Sequence, residues 1–97
     1  MPECLKFLGL IKRAGKLEIG DESVGKAQAQ GKVEAVLLSS DAGSNAEKRA
    51  ARYSEECPLI KLPYTKYEIG YVIGRGTPAV MGVTDAGMAG ALARQLD

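Results

Sequence analysis

Apolar positions recur along this chain with two alternating spacings, and the alternation marks out its elements. In residues 2–14, Leu5, Leu8 and Ile11 fall on one stripe with Phe7 and Leu10 beside it. That is the spacing of an amphipathic helix, and Gly15 stops it. Residues 16–19 read as a short strand. Gly20 and Asp21 open a second helix that turns Val24 and Ala27 inward and ends at Gly31. Residues 33–39 (VEAVLLS) form a near-continuous apolar run, as expected of a central strand covered on both faces.

Ser44 and Glu47 have the spacing of a capping box at the start of a third helix. Its inward face is Ala46, Ala50, Tyr53 and Cys57, and Pro58 forbids continuation. Residues 59–62 are a short strand. Thr65 and Glu68 make a second capping box, for a helix that runs to about Ile73. Residues 74–78 (GRGTP) are a loop and residues 79–83 a strand. Asp85 caps a last helix with Met88, Leu92 and Leu96 facing inward. The order α-β-α-β-α-β-α-β-α places helices on both faces of a parallel or mixed sheet. At 97 residues this is one α/β domain, with no linker, repeat or low-complexity segment.

Composition narrows the chemistry. No apolar run approaches the ~20 residues that span a bilayer. The N-terminal stretch has no basic flank before its apolar part and reads as structure, not as a signal peptide. There is no histidine, and Cys4 and Cys57 stand far apart without metal-ligand spacing. Zinc sites, His-based triads and imidazole bases are thereby largely removed, and the thiols read as reduced and buried in a cytosolic protein. Thirteen Lys and Arg against twelve Asp and Glu give no strong field for nucleic acid. If nucleic acid is the ligand, a local patch must serve it.

Two glycine motifs are decoys. GDESVGKA, Gly20 to Ala27, nearly spells a phosphate-binding P-loop after a strand. Ala27 stands where the magnesium-holding hydroxyl belongs, and Asp21 and Glu22 would face the phosphates, so nucleotide hydrolysis is not expected. GRGTPA lies between a helix and a strand, the reverse of the dinucleotide fingerprint, and reads as a turn needing positive φ. Asp41 and Asp85, at strand ends, read as caps or turn formers before catalytic carboxylates. Tyr67 and Tyr71, four apart, share a helix face. What remains is a segment with Lys12, Arg13, Lys16, Lys26 and Lys32 around a helix N-terminus, whose free amides favour anions. A solvated helix face would look similar.

The same segment resembles the kink-turn-binding superfamily named for large-subunit ribosomal protein seven-Ae. The likeness lies in the frame Gly15, Lys16, Leu17, Gly20 and Lys26. It continues through VLLSSDAGSNAEKRAARY and the IGR of Ile73 to Arg75 into AVMGVTDAGMA. RAGKL, SSDAG, IGR and TDAG look most like its bacterial YlxQ branch. The resemblance implies a three-layer α/β/α sandwich with a four-stranded mixed sheet. It implies RNA contact by the N-terminus of the second helix and the loop before the last strand. Carried onto this chain, those positions are Lys16, Gly20, Asp21, Glu22, Ser23, Lys26, Arg75, Gly76, Thr77 and Pro78. Family members that bind RNA begin that helix with Asn-Glu-x-x-Lys. Here Lys26 is retained, while Glu22 replaces the Asn and Ser23 the Glu. The expectation is a cytoplasmic, monomeric, non-enzymatic binder of structured RNA, kink-turn-like or ribosomal, with no cofactor and no metal. Ribosomal or translation-factor proteins are possible further partners. The alternative is a protein-interaction module that kept the fold and lost RNA affinity.

Overall fold

The computed structural model describes residues 2–96. Its elements follow the expected order: α1 Glu3–Arg13, β1 Leu17–Ile19, α2 Asp21–Ala29, β2 Ala35–Leu38, α3 Ser44–Tyr53, β3 Leu59–Lys61, α4 Lys66–Ile73, β4 Val80–Val83 and α5 Ala86–Gln95. Among the described residues, no helix is long and apolar enough to cross a membrane.

The four strands form one mixed sheet in the order β1-β4-β2-β3. β4 runs antiparallel to both neighbours, pairing Leu17 with Val83 on one side and Ala35 with Val83 on the other. β2 and β3 are parallel, with Val36 opposite Leu59. It follows that β1, β2 and β3 point one way and β4 the other.

Side chains alternate across each strand and so feed two cores. Ala35, Leu37, Met81 and Val83 face α1, α4 and α5, where Leu8, Ile11, Ile69, Ile73 and Leu92 pack on them. Val36, Leu38 and Val80 face α2 and α3, meeting Val24, Ala46 and Ala50. β2 is buried along its whole length, as its apolar run requires. Helices therefore cover both faces, and the three-layer α/β/α sandwich with a four-stranded mixed sheet is what the chain adopts.

Local signals held at most boundaries. Gly15 takes φ +74° just past α1. Thr65 and Glu68 close a full capping box on α4, and the Asp85 carboxylate accepts from the Met88 N–H at the start of α5. The first capping box does not form. Gly43 is the N-cap of α3 and makes no side-chain cap bond, so Ser44 is already the first helical residue, one place too late to cap. α3 stops at Tyr53 and leaves Cys57 half-buried beyond it, whereas Cys4 is buried. Burial pushes both thiols up in pKa, and the carboxylate of Glu34 adds to that at Cys57.

Candidate nucleic-acid interface

The strand directions gather one set of connections at one end of the sheet. The C-terminal ends of β1, β2 and β3 and the N-terminal end of β4 lie there together. Ligands of open α/β sheets bind at such carboxyl ends. The seam is closed by backbone bonds: the Gly20 N–H donates to Val80 C=O at 3.0 Å and the Ser39 N–H to Ala79 C=O at 2.9 Å.

Gly20 turns the chain from β1 into α2 with φ +92° and ψ +161°, a conformation a side chain would strain. No side chain caps α2, and the acidic Asp21 and Glu22 occupy its first turn, where they complement the dipole. Neither is free. The Arg49 guanidinium on α3 holds Asp21 side-on, Nε to Oδ1 at 2.8 Å and Nη2 to Oδ2 at 3.4 Å. Glu22 reaches Lys26 across one turn at 3.5 Å, with both side chains largely exposed. A pair that open to water is worth about 0–1 kcal/mol, so Lys26 is easily released. Ser23 is half-buried. Gly25 lies inside the helix, so the P-loop-like string never forms a phosphate-cradling loop.

The second segment, residues 74–78, turns on two left-handed glycines, Gly74 at φ +68° and Gly76 at φ +61°. It folds back on α4: the N–H groups of Gly74 and Arg75 both donate to Gly70 C=O. Gly70 must be glycine, because a Cβ there would run into the Gly76 carbonyl oxygen. Arg75, Gly76 and Thr77 face solvent. Pro78 is buried, so its ring supports the loop and does not line its outer surface.

Lys16 is elsewhere. It precedes β1, and its carbonyl accepts from Thr84 at the far end of β4. Four residue steps through β1 separate it from Gly20, about 13 Å at ~3.3 Å per step. It borders a recess with Glu18, Gly31, Lys32 and Glu34, so the basic segment read as one edge is divided between the two ends of the sheet.

Arg49, Asp41 and Ser39 also lie at the gathered end. In the sequence Arg49 stands among the basic residues of α3 with Lys48 and Arg52, and no spacing singles it out. The Asp41 carboxylate accepts the Lys66 N–H at 3.0 Å and ties the loop after β2 to the start of α4. That bond, foremost, holds its pKa below the ordinary value. Ser39, expected only as the end of a strand, is fully buried, and its hydroxyl has no partner in hydrogen-bonding geometry among the described residues.

No protein-family model matches the chain. A curated relative does: over 99 residues the chain is 36% identical to the RNA-binding protein YlxQ of Bacillus subtilis (strain 168), taking in 98% of this chain and 96% of that protein. The chain belongs to the YlxQ family. A solved structure, that of a protein with unknown function from Bacillus halodurans C, superposes with a TM-score of 0.88 at 36% identity. It covers 100% of this chain and 99% of its own. The Giardia lamblia 15.5kD RNA binding protein has the same fold, with a TM-score of 0.68 at 15% identity over 95% of this chain and 80% of its own. The resemblance carried by RAGKL, SSDAG, IGR and TDAG thus led to the right branch.

Proposed function

We propose that this YlxQ-family protein binds structured RNA, of kink-turn or ribosomal kind, without catalysing a reaction. The observation that carries the proposal is the seam between Gly20 and Val80. It holds the open N-terminus of α2 beside the glycine loop ahead of β4, the two segments through which the superfamily resemblance implies RNA contact. The names of the B. subtilis and Giardia proteins support RNA binding itself. Within it, the amides of Asp21 to Ser23 face a phosphate, Lys26 serves an acceptor-rich base edge or phosphate, and Arg75 with Gly76 and Thr77 meets a neighbouring nucleotide. Lys16, at the other end, touches only RNA that extends along the sheet. Pro78 acts by shaping the loop. The protein works as a cytoplasmic monomer, on ribosomes or their precursors, and crosslinking in cells followed by sequencing of the attached RNA checks that assignment.

A protein-interaction module is the second reading. It is favoured by the two exposed tyrosines of α4, Tyr67 and Tyr71, which flank an apolar hollow with Leu5 and Val72. Binding to a generic kink-turn RNA separates the two. RNA affinity must fall steeply and log-linearly with salt, whereas a protein contact through this hollow has no such requirement. Replacing Glu22→Asn together with Ser23→Glu restores an amide donor and moves the first-turn carboxylate by one position, as the family pattern has it. A good base contact is worth about 1–3 kcal/mol, so kink-turn affinity is expected to rise roughly ten-fold. A double variant that binds no better than its parent removes α2 as a kink-turn reader.

A further inference from the structure

α2 and α3 run side by side in the same direction, with Asp21 opposite Arg49 and Gly25 against the Tyr53 ring. Both N-termini therefore open at the same end of the sheet. Helical side chains lean toward their own N-terminus, so Arg49, in the second turn of α3, reaches back toward that end. Its side-on grip on Asp21 uses two of the five N–H donors of a guanidinium and leaves three, both on Nη1 and one on Nη2. Among the described residues those three have no acceptor, and the side chain is 39% exposed.

The arrangement answers a difficulty at α2. Two carboxylates in its first turn oppose the phosphate that its free amides would attract. Arg49 neutralises one of them and turns an unused planar fork outward beside it, a geometry suited to two phosphate oxygens at once. We propose that Arg49 is an RNA-backbone contact of this interface, gripping through its Nη groups the phosphate that sits at the α2 N-terminus. Asp21 takes the Nε side of the guanidinium, and the contact through the opposite edge does not require it. The inference rests on the RNA-binding reading above and adds to it a residue from a third element.

The bland reading is that Arg49 is only a strut between α2 and α3. Asp21→Ala removes the strut, and Arg49→Lys in that background keeps the charge while losing the fork. Affinity for a generic kink-turn RNA, measured at fixed salt, then reports the fork alone. Arg49→Lys is expected to weaken binding about five-fold or more in the Asp21→Ala background, with the melting temperature unchanged. Equal affinities in that pair overturn the inference while leaving the RNA-binding reading intact. A parent protein that fails to bind RNA even at low salt overturns both. Should Asp21→Ala fold poorly, single methylphosphonate replacements along the RNA supply a second measurement. One position must weaken the parent and leave Arg49→Lys unaffected, and the lack of any such position overturns the assignment.

Discussion

The two faces of the sheet are built to different standards. One carries three helices and a core of large side chains, with Leu8, Ile11, Leu37, Ile69 and Leu92 almost wholly withdrawn from water. The other carries two helices over a smaller core in which Ala46 and Ala50 stand where the first face has leucines. The thin face supplies α2 and α3, the helices that begin at the candidate interface, and an ion pair takes part in joining them. Bulk burial secures the fold on one side, which lets the other present short helices at close range with charge left over for a ligand.

The largest expected effect tests that division directly. Leu8→Ala removes a fully buried side chain from the thick face and should cost about 2–5 kcal/mol of stability, read by denaturant unfolding. RNA affinity measured on the folded fraction should barely move. Val24→Ala, beneath α2, deletes less apolar volume and should cost about 1.5–3 kcal/mol, at ~0.8 kcal/mol per methyl-sized group plus the void left behind. It should nonetheless weaken RNA binding more than Leu8→Ala does. The reverse order would dissolve the comparison.

Gly70→Ala comes next, because it crosses the division. Gly70 belongs to a thick-face helix, yet its missing side chain makes room for the Gly76 carbonyl of the proposed binding loop. The added methyl should cost about 1–3 kcal/mol, as overpacking does, and should displace the loop. Affinity should then fall together with stability, and a variant that loses stability alone would show that the loop's position does not matter to binding.

The smallest effect is a pH dependence at the gathered end. The folded state lowers the Asp41 pKa from 3.8, so its bond to the Lys66 N–H contributes stability that is fully present above that value. The contribution is lost as pH falls through the depressed pKa, when the carboxylate takes up a proton. The melting temperatures of parent and Asp41→Ala should therefore differ most near neutrality and converge in acid. A gap that widened on acidification would reverse the sign and refute the assignment.

Element order, sheet class and family could all be read from the chain, because the apolar spacing and the glycine stops acted locally. Errors arose where one residue decided the outcome. Ser44 and Glu47 had capping-box spacing, but Gly43 started the helix a residue early. Proximity in sequence also misled: Lys16 and Gly20 are four residues apart, yet a strand carries them to opposite ends of the sheet. Arg49 was illegible for the opposite reason. Its partner lies on another helix, and charge spacing within α3 contains no trace of it.

The pairing of β1 with β4 also sets a schedule. β1 is an edge strand whose sheet neighbour, β4, lies near the other end of the chain, and Gly20 is fastened to Val80. Closing so long a loop takes conformational entropy that only the later contacts return. During synthesis, which runs from the N-terminus, α2 and its flanking strand emerge well before their anchor. The proposed RNA-facing edge therefore becomes complete only once Val80 has left the exit tunnel, and a nascent chain shorter than that lacks the edge altogether.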